Sequence, residues 1–243
     1  ELRRAAARGE LSHRDGRARH VRRMLSHPRS RSLARHFATQ WLQIRAVTEQ
    51  TPDGKLFPGV DERMLRMMRE ETERFFDEVL RRRLSVDRLL DADWTWLNQA
   101  LADHYGVEGV IGNRMRKVTL EDREPVGLLR HGSILVSTSN PTRTSPVKRG
   151  KWVLEALLDD APPPAPPGVG GLPEDGKVTG EVSLREMLVQ HRTDPECASC
   201  HIRMDAMGFS LETFDAVGRA RTQDAGIPVD ALGELPDGTT FDG

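Results

Sequence analysis

Two cysteines and a histidine within five residues, Cys197-Ala198-Ser199-Cys200-His201, are the part of this sequence best suited to chemistry. On a helix, thiols at positions i and i+3 share one side and can add to the two vinyl groups of haem. His201 follows at once and can place an imidazole nitrogen on the iron, so attachment and proximal ligation share one turn of backbone. Three other readings compete. A zinc half-site needs further ligands, usually a second cysteine pair, and the chain has only two cysteines. A thioredoxin-type pair expects a βαβ setting, whereas the surroundings here read as helix, turn and proline-rich segment. A plain disulfide explains neither His201 nor the lack of other bridges. Covalent haem c, held by Cys197 and Cys200 with His201 as proximal iron ligand, accounts for all three residues.

The sixth iron position is harder to fill from the sequence. Met204 follows His201 by three residues, so both side chains leave one helix face, while axial ligands must approach from opposite sides of the porphyrin. Met207 would need a nearly extended path around the macrocycle. His131 is the first distal candidate and His191 the second. An open site, or a ligand from outside these residues, serves as well. His191 has an alternative use as the cation at the end of a helix. Arg219 and Arg221 could pair with haem propionates, although solvated surface arginines are the simpler reading. The basic cluster Arg143, Lys148, Arg149 and Lys151 reads as a solvated helix start, and Glu70, Glu71 and Glu73 as a charged helix face. Trp94, Trp96 and Trp152 read as core.

Helices must carry these residues. From Asp61, a candidate N-cap, apolar Leu65, Met68, Phe75, Phe76, Val79 and Leu80 make one stripe of a long helix. Ala34, Phe37, Trp41, Leu42 and Ile44 predict a second after Pro28. A third is predicted from about Thr95 to His104, stopped at Tyr105-Gly106. Val118–Leu120 and Ser133–Ser137 read as strands or extended segments, and Val147–Leu158 as a helix. Ala161–Gly168 holds five prolines and is followed by Gly170-Gly171, which marks a linker. Beyond it, Ser183 and Glu186 form a capping-box pattern for a helix to about His191. Asp194 and Pro195 then open the helix of the haem motif. The expectation is a mainly α chain: a helical module at 1–160, a Pro/Gly-rich linker at 161–181, a small cytochrome c-like haem segment at 182–217, and a turn-rich tail with a short hairpin at 218–243.

Composition narrows the partners. Lys and Arg total 36 against 37 Asp and Glu in 243 residues, a formal charge of −1. That balance argues against a dedicated nucleic-acid binder or a polybasic membrane-surface protein. No run approaches the roughly 18 apolar residues of a membrane span. The opening Glu1-Leu2-Arg3-Arg4 reads as helix interior rather than a signal peptide, and a covalent haem implies export, so an export signal is expected upstream.

Three segments also carry a resemblance. Phe37–Leu42 and Leu90–Asn98 resemble a module catalogued as domain of unknown function 1592. Thr138–Glu155, the proline linker and the haem motif with Met204–Phe209 resemble domain of unknown function 1588, and Leu235–Gly243 resembles the start of 1585. These occur together in large exported bacterial proteins abundant in planctomycetes and myxobacteria. The resemblance implies a periplasmic or extracellular, multi-domain, haem-associated protein, usually with another cytochrome c-like domain. Ala206 stands where a proline is common, and Ala220 where a tryptophan would be expected. Electron transfer to a redox partner protein, or to another haem domain of the same polypeptide, is the expected role; a haem-dependent oxidoreductase with an open iron site is the alternative.

Overall fold

The computed structural model describes residues 1–120, 127–163, 183–191 and 195–243, with backbone alone for 189–191 and 195–200. Its central element is the helix Glu62–Arg82. Asp61, in extended backbone, starts it by accepting a hydrogen bond from the Met64 amide at 2.8 Å. Arg83 ends it in the left-handed region at φ 53°, with Arg81 and Arg82 against the negative end of the helix dipole. Of the predicted stripe, Leu65, Met68, Phe75 and Val79 are buried, Phe76 and Leu80 are half-buried, and Met64 joins the buried set. Each fully buried large side chain contributes roughly 1.5–3 kcal/mol relative to exposure.

Two apolar clusters share this helix. One gathers Leu42, Ile44, Phe75, Trp94, Leu128, Ile134 and Trp152; the other gathers Val60, Leu65, Met68, Leu97, Leu101 and Val217. The helix predicted after Pro28 is present from Arg31 to Trp41, with one π-turn at Ala34–Ala38. Two indoles tie its end to the segment 146–157. Trp41 Nε1 donates to the Ala156 carbonyl at 2.8 Å, and Trp152 Nε1 donates to the Leu42 carbonyl at 2.9 Å.

Two elements differ from their sequence reading. Thr95-Trp96-Leu97 is not the start of a helix: Trp94–Leu97 is a strand paired antiparallel with Arg116–Thr119. Aromatic and β-branched side chains favour the pleated surface, and Lys117 Nζ lies 3.9 Å above the Trp94 ring across the pair. The helix begins only at Gln99, where the Asn98 side chain accepts from the Leu101 amide, and stops at Gly106, φ 65°. Conversely, Gly132–Ser137 is a helix rather than an extended segment. Gly132 to Val136 are all buried, and a short apolar run with no polar face carries no period to separate helix from strand.

The C-terminal helices start as predicted. The Ser183 amide donates to Glu186 Oε2 at 2.7 Å, and the Glu186 amide donates to Ser183 Oγ at 3.2 Å, opening Leu184–His191. The motif helix runs Pro195–Phe209. Asp194, its expected N-cap, and most of the segment 161–181 lie outside the described residues, and with them the expected module boundary. Across that gap, the helix Pro146–Trp152 lies directly on the motif helix. A Cβ at Gly150 would collide with the Met204 carbonyl, and one at Gly208 with the Pro146 carbonyl. Two glycines therefore set the distance between these helices. Gly150→Ala is expected to cost at least about 2 kcal/mol, since backbone rather than a flexible side chain must give way. A melting temperature equal to wild type would show that the helices are not locked this closely. The tail makes two short hairpins, Gln223–Asp224 with Ile227–Pro228 and Leu232–Glu234 with Thr240–Asp242; the second packs on the motif helix at Ala206.

Candidate functional site

The motif Cys197-Ala198-Ser199-Cys200-His201 lies on continuous helical backbone. The side chains of Cys197, Cys200 and His191 lie outside the described residues. His201 is described and is largely buried, its side chain 17 % exposed. Its Nδ1 sits 3.1 Å from Oδ1 of Asp205, one helical turn further on, and Asp205 is fully buried. A carboxylate accepts, so Nδ1 carries the hydrogen and the ring's lone pair belongs to Nε2, the nitrogen a metal would use. The residues present therefore fit a haem c site: helical backbone through both cysteine positions, and a histidine fixed through its other nitrogen. Among the described residues no group of three or more His, Cys, Asp or Glu side chains could itself hold a metal ion.

An arginine holds the segment just beyond the motif helix. Arg149, read from the sequence as part of a solvated basic cluster, is completely buried. Its Nη1 donates to the carbonyls of Leu211 at 2.5 Å and Phe214 at 2.9 Å and to Glu212 Oε1 at 2.9 Å; Nη2 donates to the Asp215 carbonyl at 2.7 Å. These carbonyls belong to the turn that follows the helix; those of Leu211 and Asp215 also accept the amides of Phe214 at 3.2 Å and Gly218 at 3.3 Å, and one planar fork of donors gathers all three. Arg221 is likewise not a solvated surface group. It binds Glu212 Oε2 at 2.6 Å and Asp224 at 3.0 Å, and Thr144 Oγ1 donates to the same Glu212 oxygen at 2.6 Å. Arg219 reaches His104 Nδ1 and the Pro58 carbonyl, tying the exit turn to the N-terminal half. Met204 is buried beneath Gly150, and Ile202 and Arg203 face outward.

His131 sits elsewhere, in a polar pocket inside the N-terminal core. Its Nδ1 is 2.9 Å from Thr72 Oγ1 and its Nε2 is 3.3 Å from Thr95 Oγ1, with its ring edge-on to Phe75. Serving as a distal ligand would require it to leave both partners. Beside it lies Glu71, which is not on the charged face where Glu70 pairs with Arg74; it is buried. Thr95 Oγ1 donates to Glu71 Oε1 at 2.6 Å and Tyr105 Oη donates to Oε2 at 2.8 Å. Burial pushes the Glu71 carboxyl up to about 7, the two hydroxyl donors only partly opposing it. Burial also pushes His131 down to about 3, helped by the Arg130 charge. The two lie 3.9 Å apart, and because His131 takes up a proton only near pH 3, where Glu71 is already protonated, they do not form an ion pair.

Residues 1–107 match the family model PSD4, described as a protein of unknown function (DUF1592), and residues 125–224 match PSCyt3, a protein of unknown function (DUF1588). The tail beyond 224, where likeness to the start of 1585 is expected, lies outside both matches. No curated protein and no solved structure matches the chain. Over most of its length the chain is thus similar to two families of unknown function set in tandem, the second with a cytochrome-like name.

Proposed function

We propose that this chain is a c-type haem module of an exported bacterial protein and that it passes electrons. The observation that carries the reading is the His201–Asp205 pair at the end of a Cys-x-x-Cys-His sequence on one helix. In attachment, each thiol of Cys197 and Cys200 adds across a vinyl group, sulfur to one carbon and hydrogen to the other, so no oxidant is consumed. Bound haem would supply reversible one-electron chemistry. The protein's own work is then to fix the imidazole of His201, and to hold the helix that carries all three residues through Gly150, Gly208 and Arg149. Covalent attachment belongs to compartments outside the cytoplasm, hence a periplasmic or extracellular location. The electron partner is a redox protein or another haem domain of the same polypeptide. The second reading, a haem-dependent oxidoreductase, differs at the sixth iron position, filled in a carrier and open in a catalyst. His131 and His191 remain the distal candidates of this chain, the first requiring the core rearrangement its two hydrogen bonds oppose.

Co-expression with haem-attachment machinery in a periplasm tests the proposal. The denatured protein is expected to exceed its polypeptide mass by one haem, and Cys200→Ala to weaken the attachment until part of the haem is lost on denaturing electrophoresis. A bare polypeptide mass from properly matured wild-type protein would overturn it.

A further inference from the structure

Asp205 is the most unusual group around the motif. It has no exposed surface, while Met204 and Ala206 on either side of it are buried apolar packing. The helix Pro146–Trp152 closes in at Met204 and the last hairpin at Ala206, so a residue here could have been apolar. A carboxylate in such a place costs free energy unless a strong donor answers it. One such donor is Nδ1 of His201 at 3.1 Å, four residues back on the same helix face.

The pair does two things to the imidazole. It fixes the tautomer and the ring plane, because Oδ1 sits on a rigid helix one turn away. It also draws the Nδ1 hydrogen toward a charged acceptor, which leaves more electron density on Nε2 than a neutral carbonyl acceptor would. A ligand of greater donor strength favours the oxidised over the reduced state of a metal at Nε2. We infer that Asp205 is a positioning residue that sets the donor strength of His201 and so biases the iron toward its oxidised form. The inference rests on the proposed haem attachment at His201. It also separates two uses of the same pair: a helix-stabilising contact would be satisfied by any buried hydrogen bond, whereas donor strength requires the negative charge.

The experiment uses matured protein with its haem, comparing wild type and Asp205→Asn. Three quantities are read: attached haem by denatured mass, midpoint potential by spectroelectrochemistry, and the Nδ1 chemical shift of His201 in reduced, 15N-labelled protein. Asp205→Asn is expected to keep its covalent haem, to shift the midpoint potential upward, and to move the Nδ1 resonance toward that of an imidazole with a neutral acceptor. An unchanged potential in a folded, haem-loaded variant overturns the inference. So does an upward shift with an unmoved Nδ1 resonance, which would reduce Asp205 to a distant charge. Should the variant fail to fold, wild type alone decides: the Nδ1 hydrogen of His201 is expected to be protected from exchange, and rapid exchange overturns the pairing. Absence of covalent haem from matured wild type overturns the proposed function instead, and is read independently by mass.

Discussion

Arg149→Ala is expected to destabilise the protein by about 3–5 kcal/mol, the cost of removing one partner from a buried charged pair. The truncation removes the charged donor from the carbonyls of Leu211, Phe214 and Asp215 and from Glu212 Oε1, leaving Leu211 and Asp215 only their amide partners at 3.2 and 3.3 Å. Glu212 keeps Arg221 and Thr144, which confines the damage to the oxygen Arg149 used and to the three carbonyls. Arg149→Lys is expected to recover less than half of the loss, since a single ammonium cannot reach acceptors spread over five residues as a guanidinium does. Urea denaturation followed by circular dichroism measures both. Wild-type stability for Arg149→Ala would mean that water reaches these carbonyls and that the arginine is not their essential donor.

The second large effect is a change of slope with pH. Glu71 has a folded pKa of about 7 against an ordinary 4.5. The folded state therefore binds its proton more tightly, and this contribution is complete below 4.5 and lost as pH rises through 7. His131 runs the other way, with a folded value of about 3 against an ordinary 6.5, so its contribution is complete above 6.5 and lost as pH falls toward 3. Between pH 4.5 and 6.5 the two slopes oppose each other, and the pair is nearly silent in wild type. Glu71→Gln removes one of them. The stability difference between wild type and Glu71→Gln is expected to shrink by about 3 kcal/mol, in wild type's disfavour, from pH 4.5 to 7. Other titrating groups are common to both proteins and cancel in that difference. Urea midpoints measured at intervals across this range check it; two parallel curves would mean that the Glu71 carboxylate finds solvent when it ionises.

How much of this could be read in advance depends on whether the deciding interaction is local. Asp61, Asn98 with Gly106, and the Ser183–Glu186 box act within one turn of backbone, and of these the caps at 61 and 183 and the stop at Gly106 were legible as such. The strand Trp94–Leu97 depends on a partner some twenty residues away, which no local pattern announces. Glu71 and Thr72 gave a signal that a charge-based reading passes over: they lie three and four residues after Met68, on the apolar stripe itself. A carboxylate at that phase of a helix is buried, whatever its neighbours at 70 and 73 do. Asp205 had a similar signal in its i+4 spacing from His201. Arg149 had none, because its acceptors lie more than sixty residues along the chain. The Cys197–His201 sequence stands out because the chemistry proposed for it requires fixed residue types at fixed spacing.

Three of the four principal acceptors of Arg149 are main-chain carbonyls, which every residue type possesses. The arginine therefore recognises a path of the backbone rather than the side chains along it. Such a contact makes tolerance to substitution one-sided. In a saturation library, position 149 is the intolerant end of these bonds, while exchange of Phe214 or Asp215 leaves each bond's acceptor in place and disturbs only whatever else that side chain does. The contact also completes only once the chain has left the motif helix and turned, which is what brings the three carbonyls round one guanidinium. It acts as a proofreader of shape, closing the fold when the segment after His201 has taken its proper course.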